Sequence, residues 1–144
     1  MEVVAVYRAA EREEATVPEY MLLLYAAEAD DEIVQAERWA EMPLWDEVNA
    51  SLREAGVLVK NGPLHPVATA TTVQVRGDRA ELTDGPFAVT KEVLVGYYVL
   101  DCADLDQAVG HASRLPAARW GWVEVRPIVA DDEIPRPDRS AGGS

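Results

Sequence analysis

Tyr20-Met21-Leu22-Leu23-Leu24-Tyr25 is apolar at every position, and it is bounded by Pro18 on one side and by Glu28, Asp30 and Asp31 on the other. A run that short and that sharply bounded predicts a central strand covered on both faces. The period then changes. From Asp31 to Ala55 the spacing is helical, broken near Pro43, and in its second half Leu44, Val48, Leu52 and Ala55 share one helical face. Proline fits a helix in its first turn, so the pattern predicts a break there, and Gly56 supplies the stop. Trp39 and Trp45 are assigned to core packing, with a pocket wall as the other reading.

Val57 to Pro66 reads as a connection rich in glycine and proline. Thr69 to Arg76 alternates with β-branched residues, Gly77-Asp78 makes a turn, and Ala80-Glu81-Leu82 returns, which together predict a hairpin. Val93 to Asp101 predicts a further strand. Asp104 caps the next helix with Gln107 three residues on, and Leu105, Ala108, Val109, Ala112 and Leu115 form its expected buried face, ended by Pro116. In the last strand, Trp122 to Val129, Val123 and Val125 point one way while Trp122, Glu124, Arg126 and Ile128 point the other. Strand–helix–strand–strand–helix–strand is the order of an α+β, ferredoxin-like antiparallel sheet with its helices on one face. The other face carries apolar residues for which the chain offers no cover, so a homodimer with sheets face to face is expected.

Residues 1–18 are read as an N-terminal extension, in which Val3 to Tyr7 is an edge strand or a short arm. Residues 19–130 form the domain and 131–144 a disordered tail. At 144 residues, with 49% hydrophobic and 27% charged positions, the chain suits one domain. A net charge of −13 and a pI near 4.4 argue against binding nucleic acid or anionic membranes. The lone Cys102 excludes an intrachain disulfide, and no apolar run reaches the ~18 residues of a membrane span. A soluble, cytoplasmic protein is the expectation.

Chemistry concentrates in Thr83-Asp84-Gly85-Pro86-Phe87, which packs an acid, a hydroxyl, a Gly-Pro turn and an aromatic into one loop. Asp84 reads either as a general base or as a turn former whose carboxylate accepts from the Gly85 and Phe87 N–H groups. His65, in a second loop, is the histidine that can complete an acid–base pair with it. His111 reads as structural or exposed. Glu124 and Arg126, two apart on one strand face, read as paired charges, with Arg126 also able to anchor an anion. Tyr97 and Tyr98 alternate, one toward the core and the other toward a pocket. No phosphate loop, dinucleotide fingerprint, nucleophile elbow or metal spacing is present, so no metal or cofactor is expected.

Tyr20 to Tyr25, Ala55-Gly56-Val57-Leu58, Ala68 to Val73, Thr83-Asp84-Gly85-Pro86-Phe87, Thr90-Lys91-Glu92, Gly96-Tyr97-Tyr98 and Glu124-Val125-Arg126-Pro127 together resemble the DGPF-domain proteins, a branch of the YCII-related family. The resemblance covers residues 19–130 and implies a dimeric α+β barrel. Two departures stand out: Val89 replaces the glutamate that commonly precedes Thr-Lys-Glu, and Asp31 to Ala55 lacks the histidine of the family's His–Asp pair. The resulting expectation is a small-molecule-binding barrel, with cofactor-free acid–base chemistry of lyase or isomerase type if it is an enzyme. Asp84 and His65 would be catalytic, and Arg126, Tyr97, Thr83, Phe87 and Glu124 would bind ligand. The resemblance also implies an alternative, a regulatory module partnered with an extracytoplasmic-function sigma factor.

Overall fold

A computed structural model describes residues 17–29 and 31–137; the Val3 to Tyr7 reading and the last residues of the tail fall outside them. Four strands form the main antiparallel sheet: β1 (Glu19–Ala27), β2 (Leu58–Pro63), β5 (Glu92–Asp101) and β6 (Trp122–Pro127). Their order, β2-β5-β1-β6, is the arrangement of a ferredoxin-like fold. Two strands, β3 (Thr71–Arg76) and β4 (Arg79–Asp84), pair only with each other as a separate hairpin.

This corrects the expected chain tracing. Val57 to Pro66 is not merely a connection, because β2 lies within it and supplies the edge of the sheet next to β5. The strand signal was hidden by Asn61-Gly62-Pro63 and by a register shift between Leu58 and Lys60. An edge position tolerates both features, since a proline there removes no ladder bond that the sheet needs. The hairpin has the stronger alternation and still stays outside the sheet.

The central strand is buried alternately. Tyr20, Leu22, Leu24 and Ala26 face the helices, while Met21, Leu23 and Tyr25 face away. Across the ladder, Leu22 meets Tyr98 and Tyr20 meets Leu100, so β5 turns the same side inward. Above them lie α1 (Glu32–Trp39), α2 (Met42–Glu54), α3 (Leu105–Ala112) and α4 (Ala117–Trp120). Val48 and Leu52 from α2, Ala108 and Ala112 from α3, and Leu115 and Ala117 complete one core. Side chains as small as alanine let α3 lie close to the sheet. Leu105 and Val109, expected in that face, are about half exposed.

Local chemistry sets the helix ends. Asp31 accepts from the Ile33 N–H at 2.6 Å and Asp104 from the Gln107 N–H at 2.9 Å. Pro43 stands in the first turn of α2, so the helical stretch divides where the sequence predicts. Gly56, at φ +75°, closes α2 in the left-handed region open to glycine.

Gly121, between α4 and β6, has no room for a side chain: a Cβ there would lie 2.1 Å from the Tyr25 carbonyl oxygen. Gly121→Ala must therefore push β6 away from β1. It should lower stability by about 2 kcal/mol or more in chemical denaturation, whereas an unchanged midpoint would refute the close approach.

Candidate functional site

Behind the helices, a cavity of about 440 Å³ opens between α1, α2 and the β2–β5 edge of the sheet. Its position follows from the split helix. Pro43 starts a new helix, and the floor between α1 and α2 is formed by β5 and β2. Trp39, Met42 and Trp45 wall it from the helices; Leu24 and Val95 form part of its floor; Leu64 and Pro66 border it from the loop after β2.

The floor carries polar groups as well. Tyr98, 3% exposed, donates its hydroxyl hydrogen to Asn49 Oδ1 on α2. Asn61 stands directly opposite Tyr98 in the β2–β5 register and lines the same cavity. Burial pushes the Tyr98 phenol above its ordinary value, against the opposing pull of Asn61, Asn49 and the Arg53 charge, so the ring keeps its proton at neutral pH. Trp45 stacks near Tyr98, with ring centroids 6.4 Å apart and planes inclined by 14°.

At the α1 side the rim is held by charge and aromatics together. The Arg38 guanidinium lies 4.5 Å from the centre of the Trp120 ring and donates to the Ala27 carbonyl at 2.9 Å. The Trp120 indole N–H donates to Glu41 Oε1 at 2.7 Å, tying α4 to the start of α2. Trp39, 68% exposed, is therefore wall rather than core, correcting its assignment from sequence, whereas Trp45 lines the cavity and also packs against the core.

The residues singled out from sequence lie elsewhere. Asp84 ends β4 opposite Thr71 and is exposed, as are Thr83 and His65. Backbone and hydroxyl bonds brace the turn that follows Asp84. Gly85, at φ +97°, donates its N–H to the Ala70 carbonyl at 2.7 Å and accepts from the Thr72 hydroxyl at 2.7 Å. Phe87 is 91% exposed. His65 falls between the cavity-lining Leu64 and Pro66 without lining the cavity itself. Among the described residues, His65 and Asp84 share no hydrogen bond or ion pair.

Tyr97, Glu124 and Arg126 occupy the face of the sheet opposite the helices. There the register aligns Tyr97, Leu23 and Glu124 in one row, and Val99, Met21 and Arg126 in the next. Glu124 and Arg126 form no ion pair with each other among the described residues. Cys102 is buried in the core, and burial, then Asp101 and Asp104, raises its thiol, as the flanking acids implied. Tyr98, Asn49 and Asn61 were missed from sequence. The signal was available, since Asn49 interrupts the apolar face Trp45-Val48-Asn49-Leu52 of α2.

The match of the YCII-related domain to residues 19–131 decides the family. The chain belongs to the YCII-related family. It is also 43% identical over 77 residues to the uncharacterized protein R00369 of Rhizobium meliloti (strain 1021), covering 52% of this chain and 62% of the relative's length. No helix among the described residues is long and apolar enough to cross a membrane.

The open face also carries a repulsive pair. Asp101 stands directly across β1–β5 from Glu19, and burial, then the Glu19 charge, raises its carboxyl pKa. A raised acid stabilises the fold while protonated, and that contribution is lost as pH rises through the raised value. Asp101→Asn should therefore melt higher than the parent at pH 7.5, by about 1 kcal/mol at most. The gap should close below the ordinary carboxyl value of 3.8. A lower melting temperature for the variant at pH 7.5 would contradict this assignment.

Proposed function

We propose that this YCII-related protein binds a small organic molecule in the cavity beneath α1 and α2. The observation that carries this reading is a Tyr98–Asn49 hydrogen bond, with Asn61 opposite Tyr98, at the floor of an aromatic-walled pocket of about 440 Å³. Ligand sites combine apolar walls with a few convergent polar groups in this way, at cavity volumes of roughly 300–1,000 Å³. Cofactor-free proton transfer would draw on Asp84 and His65. Since both are exposed and neither lines the cavity, the geometry favours binding over turnover.

The working unit in this reading is a homodimer. Met21, Leu23, Tyr25, Tyr97 and Val99 form an apolar strip on the open face, with Trp122 beside it and Glu124 and Arg126 along one border. Two such faces packed together would bury the strip and let each border meet charges of the other copy, closing the α+β barrel. The DGPF branch is the subtype that the Asp84-Gly85-Pro86-Phe87 loop supports.

A thermal-shift panel of phenols, hydroxyaromatics and small organic acids tests the cavity. A probe at 100 times its Kd stabilises by about 2.7 kcal/mol, a shift of several degrees at this size. Ala29→Trp, which places an indole at the cavity mouth, should abolish the shift without moving the unliganded melting temperature. A panel with no hit, or a hit that survives Ala29→Trp, would overturn the assignment.

The sigma-factor partnership is supported by different features. These are the net charge of −13, suited to a basic protein surface, and the exposed Phe87 and Val89 on the loop after the hairpin. Salt-sensitive binding to a purified extracytoplasmic-function sigma factor, lost in Phe87→Asp, is what that reading predicts.

A further inference from the structure

The hydrogen bonds at the cavity floor leave a defined set of groups for a ligand. Tyr98 is consumed, because its hydroxyl hydrogen goes to Asn49 Oδ1 and its ring is buried against Trp45. An amide has two N–H donors and a carbonyl acceptor. Among the described residues nothing accepts from Asn49 Nδ2, and nothing donates to Asn61 Oδ1. The Asn49 donors and the Asn61 acceptor thus stand on either side of one phenol. Of the charged groups lining the cavity, Arg38 is engaged with Trp120 and the Ala27 carbonyl on the α1 side and Glu28 belongs to the loop between β1 and α1, while Arg53 of α2 acts on the Tyr98 phenol through its charge alone.

We infer that the cavity takes a flat, uncharged aromatic or heteroaromatic molecule whose edge presents a hydrogen-bond acceptor beside a donor, as a primary carboxamide or a lactam does. The acceptor meets Asn49 Nδ2 and the donor meets Asn61 Oδ1, while the ring lies among Trp45, Trp39 and Val95. A carboxylate of the same shape is disfavoured. It brings no donor for Asn61, repels that acceptor oxygen, and gives up hydration on burial. A bare hydrocarbon is disfavoured because it leaves both amides unpaired on burial. The inference depends on the cavity being the ligand site, and it adds the chemical class.

Three probes of one ring system separate the cases in titration calorimetry on the unmodified protein: indole-3-carboxamide, indole-3-carboxylate and 3-methylindole. The carboxamide should bind at least tenfold more tightly than either of the others. Asn61→Leu, which keeps the side-chain size and removes the acceptor, should erase most of that preference while 3-methylindole still binds. Asn61 lies on an edge strand and is half-buried, so the variant has room to fold, and the comparison of probes on the unmodified protein stands without it. Equal binding of all three probes, or tighter binding of the carboxylate, would refute the chemical class and leave the cavity assignment intact. No binding by any probe would refute both.

Discussion

The backbone ladder between β1 and β5 determines what each face of this protein can do. Leu22 pairs with Tyr98 and Leu23 with Tyr97, so neighbouring residues are sent to opposite sides with no freedom of choice. One tyrosine becomes the floor of a cavity roofed by helices, and the other becomes part of an open apolar face. A slip of β5 by one residue against β1 would exchange them. The core and the cavity floor are therefore specified by the same register.

The helix layer converts that floor into an enclosure. α3 and α4 come close to the sheet over β1 and β6 because Ala108, Ala112 and Ala117 are small. On the β2 side, α2 approaches with larger residues, and the division at Pro43 sets α1 apart from it. The space between is walled by tryptophans and crossed by the Tyr98–Asn49 hydrogen bond. On the α1 side, Arg38 spends donors and its planar face on Ala27 and Trp120. The product is an aromatic-walled pocket with amide and phenol groups on its floor.

Sequence pattern made the scaffold legible. The apolar run from Tyr20 to Tyr25, the Pro43 break, the Gly56 stop and the Asp104 cap all reflect local chemistry that the structure retains. The edge strand β2 was not legible, because Asn61-Gly62-Pro63 carries turn residues whose pairing depends on β5, more than thirty positions away. The site was obscured for a related reason. Asp84, Phe87 and His65 are chemically conspicuous as residue types, yet a loop acid says nothing of its surroundings until the fold places it. Asn49 and Asn61 are plain amides that gain meaning only when α2 and β2 meet over Tyr98. Membership of the YCII-related family agrees with the scaffold reading and is silent on the ligand.

A ligand bound beneath α1 and α2 touches the helix-covered face of the sheet and leaves the open face free. Proton–nitrogen correlation spectra of the labelled protein, recorded while indole-3-carboxamide is added, would report this residue by residue. The account predicts shifts at the Trp39 and Trp45 indoles and at the Asn49 and Asn61 side-chain amides, with the Trp122 indole on the opposite face unmoved. Shifts confined to Trp122 and the Arg126 side of the sheet would place the ligand on the open face and contradict it.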